Sequence, residues 1–209
     1  MATLAANVCL SIESKADSHM QKKIYLAGPD VFLSNGKEIL GRKADMTRAA
    51  GFIPLCPGDL APPPVETKNA RGLAISGINE GMMRQADAVL ANLTPFRGLA
   101  ADVGTSFELG FMCALGKAVY AYTNVPDDHF KRCAEYYKGD LTQSADGRVR
   151  GPDGLSLEDF DMADNLMLDG GIKSRGGAFV IGNAPADRIY TDLTAFAECL
   201  RLFAERHGD

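Results

Sequence analysis

Short apolar runs alternate along this chain with longer segments whose hydrophobic positions recur at helical spacing. The apolar runs predict strands at residues 23–27, 52–55, 87–93, 118–122 and 178–181. The helical spacing predicts helices at residues 35–50, 69–85, 105–115 and 191–206. Because strands and helices alternate, the pattern predicts an α/β fold built on a mainly parallel sheet.

The pattern is lost between residues 126 and 177, where Asp, Gly, Lys and Arg predominate. Only short helical pieces are expected in this segment. A long irregular segment inside a compact domain is usually functional or mobile.

Composition limits the classes of protein that fit. The chain has 209 residues, 46% of them hydrophobic, which is enough for one domain with a full core. We expect that domain at residues 21–209, after a flexible leader at residues 1–20. The Ser18-His19-Met20 junction is typical of a cloning scar, and a native leader is the open alternative.

Charge and cysteine usage point to a cytoplasmic enzyme. The net charge is −5 and no basic stripe is present, which argues against binding a nucleic-acid polymer. No apolar run reaches the ~18 residues that a membrane span needs. The five cysteines are scattered and odd in number, so we expect reduced thiols instead of disulfides or a zinc site.

The stretch at residues 102–110 carries the candidate chemistry. It places Asp102 and Glu108 six residues apart, directly after a buried strand and a loop rich in Pro and Gly. In a parallel α/β sheet that junction lies at the carboxyl edge, where ligands bind. An acidic pair there favours a neutral or electron-poor ligand over a phosphate.

Each of these residues also has a purely structural interpretation. Thr105 and Glu108 have the spacing of a capping box, in which the Glu carboxylate binds the amide of the capping residue. Asp102 is placed to interact with the helix macrodipole. Tyr25 is by default a core tyrosine, and a catalytic role requires its hydroxyl to reach the same edge. The apolar neighbours of Glu108 would raise its carboxyl pKa.

Four blocks of sequence together resemble the nucleoside 2-deoxyribosyltransferase family. They lie at residues 24–29, 79–89, 92–110 and 165–168, in the order expected for that family. The resemblance implies a flavodoxin-like, five-stranded, mainly parallel sheet flanked by helices. It also implies exchange of 2-deoxyribose between nucleobases in nucleotide salvage, with net retention through a covalent sugar–Glu intermediate and without metal or cofactor. Deoxyribonucleosides and free nucleobases would be the substrates.

The resemblance also assigns roles to individual residues. Glu108 would be the nucleophile, Tyr25 would hydrogen-bond to it, and Asp102 would bind the sugar hydroxyls. Further substrate-binding positions would be Gly28, Pro29, Asn79, Phe96, Arg97 and Gly104. Asn79 would face the base.

A neighbouring subunit would complete the site. Asn165 and Met167 would reach the active site of that subunit, which requires a homo-oligomer of at least two chains. The segment at residues 171–190 looks inserted relative to shorter members, and its role is open.

Two other functions remain as alternatives. A 2-deoxynucleoside 5′-monophosphate N-hydrolase would use the same Glu108 but give the sugar to water, with Arg97 as the residue that could bind the phosphate. A nucleoside-binding sensor on the same fold would need no nucleophile.

Overall fold

The protein is described by a computed structural model over residues 21–208. The strands are β1 (Lys23–Ala27), β2 (Ile53–Leu55), β3 (Ala88–Asn92), β4 (Ala118–Thr123), β5 (Thr142–Gln143), β6 (Val149–Arg150) and β7 (Phe179–Ile181). The helices are α1 (Gly36–Ala49), α2 (Lys68–Gln85), α3 (Val103–Ala114), α4 (His129–Tyr136), α5 (Leu166–Lys173) and α6 (Thr194–His207). Five strands form a parallel sheet in the order β2-β1-β3-β4-β7, while β5 and β6 form a separate antiparallel pair.

Both faces of the sheet are covered by helices, as expected for strands that are apolar along their whole length. Successive side chains of a strand point to opposite faces. Ile24 and Leu26 therefore join the core under α1 and α6, whereas Tyr25 and Ala27 join the core under α2, α3 and α5. This alternation aims Tyr25 at the face that carries α3.

The chain reverses its winding direction between β1 and β3. Strand β1 pairs with β2 on one side and β3 on the other, and α1 and α2 lie on opposite faces of the sheet. Such a topological switch point opens a crevice at the carboxyl ends of the two strands. Tyr25 comes from β1, and the loop and helix after β3 carry Asp102 and Glu108, so all three belong to this crevice.

The structure confirms the predicted α/β class and all five sheet strands, and it changes four details. Helix α6 begins at Thr194, three residues later than predicted. Helix α3 begins at Val103, two residues earlier than predicted, because Asp102 and not Thr105 is its cap. The β5–β6 hairpin was not predicted. The segment at residues 171–190 contains the end of α5 and strand β7, so much of it belongs to the main fold.

Two further observations concern the described residues. Cys56, Cys113, Cys133 and Cys199 carry free thiols. Within residues 21–208, every helix is too short or too polar to span a bilayer. The expected leader and Cys9 lie outside the described residues.

Candidate active site

The central contact of the site joins β1 to α3. The hydroxyl of Tyr25 donates a hydrogen bond of 2.6 Å to Oε1 of Glu108. Tyr25 is fully buried in the core, so its ring is held by packing and only its hydroxyl meets the carboxylate. A charge-assisted bond of this kind fixes the orientation of the acceptor.

The environment of Glu108 brings its ionisation close to neutrality. Burial raises the pKa of the carboxyl from its ordinary 4.5 to about 7, the hydrogen bond from Tyr25 opposes this rise, and the charge of Asp102 adds to it. The pKa of Tyr25 is raised by burial and by the Glu108 charge, so the phenol keeps its proton and remains a donor. A carboxylate with a strongly shifted pKa in a crevice is a candidate for chemistry.

Asp102 caps α3 and faces the site at the same time. Its Oδ2 accepts hydrogen bonds from the backbone N–H of Thr105 at 3.0 Å and from the Thr105 hydroxyl at 3.1 Å. The capping-box interpretation of Glu108 is therefore wrong, because Thr105 lies inside the helix and the Glu108 carboxylate binds Tyr25 instead. The helix-terminal interpretation of Asp102 is correct, and it leaves Oδ1 of Asp102 without a protein donor among the described residues.

Close backbone contacts explain two glycines of the site. A Cβ atom on Gly28 would lie 2.9 Å from the Cβ of Asn92 and 2.5 Å from Oδ2 of Asp30. A Cβ on Gly104 would lie 3.0 Å from Oδ2 of Asp102. Pro29, which follows Gly28, is buried and starts a short 3-10 turn, Pro29–Phe32.

A buried ion pair anchors that turn. Nζ of Lys43, in α1, lies 2.6 Å from Oδ1 of Asp30, and both side chains are almost fully buried. The second oxygen of Asp30 and the hydroxyl of Tyr122 are buried without a hydrogen-bond partner in the described part of the chain. Sequence analysis missed this pair, because 13 residues separate its members and neither stands in a motif.

Aromatic rings gather in the segments that follow β1 and β3 at the carboxyl edge of the sheet. Phe32 and Phe96 stack with their centroids 5.4 Å apart, and the Arg97 guanidinium lies 5.0 Å and 4.8 Å from the two ring centroids. Phe96 and Arg97 were expected here, whereas Phe32 and Tyr190, which meets Phe96 edge-on, were not.

Asn79 lies in the middle of α2 and is half-buried. Its Oδ1 is buried and has no hydrogen-bond partner among residues 21–208. A buried acceptor without a partner is costly, so such an atom is often completed by a ligand or water.

Asn165 and Met167 lie at the start of α5 and are not part of the group formed by Tyr25, Asp102 and Glu108. Asn165 caps α5, with its Oδ1 accepting from the Met167 amide at 3.1 Å and its Nδ2 donating to Glu158 at 2.8 Å. Within the described chain, the hydrogen bonds of Asn165 do not reach Tyr25, Asp102 or Glu108. Met167 is 71% exposed. Sequence analysis did not identify Glu158, which orients Asn165.

A buried arginine connects the start of α5 to the loop that precedes α3. Arg132 donates to the carbonyl of Leu99 at 2.7 Å and forms an ion pair of 3.2 Å with Asp164. Asp164 in turn accepts from the amides of Ala101 and Asn165. The loop that ends at Asp102 and the segment that begins α5 are therefore fixed to the same hub.

Phe107 is an exposed aromatic residue next to Glu108 in the sequence. It is 57% exposed and packs against Phe111, with ring centroids 5.9 Å apart, on an open side of α3.

Within residues 21–208, no group of three or more His, Cys, Asp and Glu side chains is arranged to hold a metal ion.

The fold and site together define an α/β protein with a carboxylate of raised pKa at the switch point of a parallel sheet. The family model for nucleoside 2-deoxyribosyltransferases matches residues 24–167. The chain belongs to this family, and it is an enzyme of the nucleoside 2-deoxyribosyltransferase family.

Comparisons with individual proteins agree with this assignment. A solved 2-desoxiribosyltransferase from Leishmania mexicana is 28% identical, with a TM-score of 0.60, covering 89% of this chain and 99% of that one. A conserved protein from Enterococcus faecalis, 20% identical with a TM-score of 0.53, shares the fold over 88% of this chain and 99% of its own. An uncharacterised protein of Schizosaccharomyces pombe is 29% identical over 178 residues, which are 78% of this chain and 82% of the yeast protein.

Proposed function

We propose that this protein transfers 2-deoxyribose from one nucleobase to another through a covalent deoxyribosyl–Glu108 ester, with net retention. The observation that carries the proposal is the 2.6 Å hydrogen bond from Tyr25 to a Glu108 carboxyl whose pKa is about 7. About half of such carboxyls are ionised at neutral pH, and the ionised form is the nucleophile.

In the first step, a Glu108 oxygen bonds to the anomeric carbon as the N-glycosidic bond breaks. The base leaves with the bonding electrons and takes up a proton from solvent. In the second step, a nitrogen of the incoming base attacks the anomeric carbon, the ester bond breaks, and Glu108 leaves with the bonding electrons as a carboxylate. The attacking nitrogen loses its proton to solvent, so that each exchange takes up one proton and releases one. Two inversions give net retention, as in retaining glycosidases.

Tyr25 and Asp102 would have different tasks in these steps. Tyr25 binds one oxygen of Glu108 and leaves the other to attack. Oδ2 of Asp102 is bound to Thr105, which leaves Oδ1 to accept a hydrogen bond from a sugar hydroxyl.

The base would lie between the aromatic side of the crevice and α2. Phe32 and Phe96 offer apolar surface, and Oδ1 of Asn79 is a buried acceptor that suits an N–H group of the base. Gly28, Pro29 and Gly104 would form the floor of the crevice, where the two glycines allow Asn92, Asp30 and Asp102 to pack closely. Transfer needs water to be excluded while the bases exchange.

A neighbouring copy of the chain would complete the site with Asn165 and Met167. The exposure of Met167, together with the exposed Val103 and Phe107, supports an apolar contact between copies. The active form would then be a homo-oligomer of at least two chains.

Chromatography of three mixtures tests the proposal. They contain deoxyinosine with adenine, deoxyinosine alone, and deoxyinosine monophosphate alone. Deoxyadenosine in the first mixture is the expected result. Hypoxanthine released only from the monophosphate would instead identify an N-hydrolase that uses the same Glu108.

Two substitutions make the assay specific for the site. Glu108→Gln should abolish exchange because an amide cannot form the ester. Glu38→Gln alters an exposed carboxylate in the first turn of α1 and should exchange like the wild type. Exchange by Glu108→Gln at the wild-type rate would end the assignment of the nucleophile. Intact nucleoside binding without any catalysis in the wild type would favour the sensor.

A further inference from the structure

The loop between β7 and α6, residues 182–193, is fastened to the carboxyl edge of the sheet. Nδ2 of Asn124 donates to the carbonyls of Ile189 at 2.7 Å and Asp192 at 2.9 Å. The backbone N–H of Asn124 donates to the Thr94 hydroxyl at 3.1 Å. Thr94 and Asn124 are both buried, so the bond between them is shielded from water.

Tyr190 extends from this fastened loop to the loop after β3. Its hydroxyl donates a 2.6 Å hydrogen bond to the carbonyl of Pro95, and its ring meets Phe96 edge-on with centroids 6.0 Å apart. The Phe96 ring therefore lies between Tyr190 and Phe32, which stacks on it.

The loop after β3 needs such support. Arg97 has a φ of +54°, which is uncommon for residues other than glycine and is retained only where surrounding contacts enforce it. Its guanidinium covers the stacked pair of Phe32 and Phe96. The hydrogen bond to Pro95 and the edge contact with Phe96 are therefore contacts that hold this loop in place.

We propose that Tyr190 is a positioning residue that holds Phe96 over the deoxyribosyl-enzyme, where the ring excludes water and so favours transfer over hydrolysis. This inference rests on the proposed function. In hydrolysis, a water oxygen bonds to the anomeric carbon as the ester bond to Glu108 breaks. The carboxylate leaves with the bonding pair, and the water proton passes to solvent, so that free 2-deoxyribose is released.

The test is the ratio of free 2-deoxyribose to exchanged nucleoside, with deoxyinosine as donor and adenine as acceptor. Tyr190→Phe keeps the ring and removes only the hydroxyl. It should raise the ratio about threefold to tenfold, the scale of one neutral hydrogen bond. Tyr190→Leu, which also removes the ring edge, should raise it further.

Tyr136→Phe is the matched control, because Tyr136 is an exposed tyrosine that packs against Tyr137 and not against the loop after β3. Its ratio should equal that of the wild type. The ratio does not depend on the fraction of protein that is folded. If Tyr190 only stabilises the fold, Tyr190→Phe should lower the melting temperature and leave the ratio unchanged. An unchanged ratio in Tyr190→Phe, or an equal rise in Tyr136→Phe, overturns the inference while exchange by the wild type sustains the proposed function. Absence of exchange in the wild type overturns both.

Discussion

At the residue scale, the ionisation of Glu108 depends on burial, which favours the neutral acid, and on Tyr25, which favours the carboxylate. The charge of Asp102 acts in the same direction as burial. These influences place the pKa of Glu108 at about 7. At neutral pH, a small change in either neighbour therefore alters the fraction of Glu108 that is ionised. The contributions of the two neighbours can therefore be separated by pH profiles.

Replacing Tyr25 with Phe should move the acid limb of the profile to higher pH. The variant loses the hydrogen bond that lowers the Glu108 pKa, so less carboxylate is present at pH 7 and the remainder is poorly oriented. We expect kcat/KM at pH 7 to fall by about 10- to 100-fold. A profile that coincides with that of the wild type would show that the Tyr25 hydroxyl does not act on Glu108.

Glu108 should also make stability depend on pH. Its pKa is about 7 in the folded protein and near 4.5 when unfolded, so the folded state binds the proton more tightly. The stabilisation is fully present below pH 4.5 and is lost as the pH rises through 7. Denaturant titrations of the wild type and Glu108→Gln should give two free energies of unfolding at each pH. Their difference should shift by about 3 kcal/mol in favour of the variant between pH 4.5 and pH 8. A constant difference would mean that the Glu108 pKa is not raised.

At the scale of elements, the first turn of α3 combines a structural cap with part of the site. The same Asp102 carboxylate that holds the Thr105 amide also contributes charge beside Glu108. Because α3 begins at this edge of the sheet, Asp102 and Glu108 are held on one rigid helix. Two carboxylates six residues apart in the sequence are therefore held close to each other.

Substitutions at Asp102 should separate these two roles. Asn also caps helices, so Asp102→Asn should leave stability within about 0.5 kcal/mol of the wild type, whereas Asp102→Ala should cost about 1 kcal/mol. Loss of the Asp102 charge lowers the Glu108 pKa, so the acid limb of Asp102→Asn should move to lower pH, opposite to Tyr25→Phe. Activity should still fall because the sugar loses its acceptor. A limb shifted upward would contradict the electrostatic role.

The elements that repeat a local pattern could be predicted from sequence, and the contacts between distant segments could not. The five strands were recognisable because each is an apolar run bounded by polar residues or glycine. The start of α3 was misplaced because Thr105 and Glu108 imitate a capping box, and only the position of Tyr25 shows where the carboxylate goes. The β5–β6 hairpin has strands of two residues, too short for any periodicity.

The non-local parts of the site left no such signal. Asp30 with Lys43, and Tyr190 with Pro95, meet only after the chain has folded, the second pair across 95 residues. Nothing in the residues around Tyr190 distinguishes it from an ordinary loop tyrosine. The residues proposed to be catalytic could be identified from the sequence chiefly because the family resemblance assigned them.

At the scale of the whole molecule, the Arg132–Asp164 hub joins the loop before Asp102 to the segment that presents Asn165. One copy of the chain would thereby hold its own nucleophile and offer Asn165 to a second copy. This arrangement makes a complementation experiment possible.

Mixing two impaired variants should restore activity. Glu108→Gln lacks the proposed nucleophile. Asn165→Ser keeps a capping hydroxyl for α5 without placing a second carboxylate beside Glu158, and it removes the amide offered to the neighbour. Subunits exchanged between dimers of these variants create one intact site in each mixed dimer. An equimolar mixture should recover about a quarter of the wild-type activity, because half of the dimers are mixed and one of their two sites is intact. No recovery after verified subunit exchange would place Asn165 in its own subunit's site or outside any site.

The most direct test of the account is the mass of the protein during turnover. Wild-type protein mixed with deoxyinosine at pH 8, without an acceptor base, should be quenched within seconds and analysed intact and after proteolysis. The account predicts a mass increase of one 2-deoxyribosyl group on the peptide that contains Glu108, its loss on addition of adenine, and no such increase in Glu108→Gln. An unmodified Glu108 peptide in protein that is exchanging bases, or the same increase in Glu108→Gln, would contradict the covalent role of Glu108.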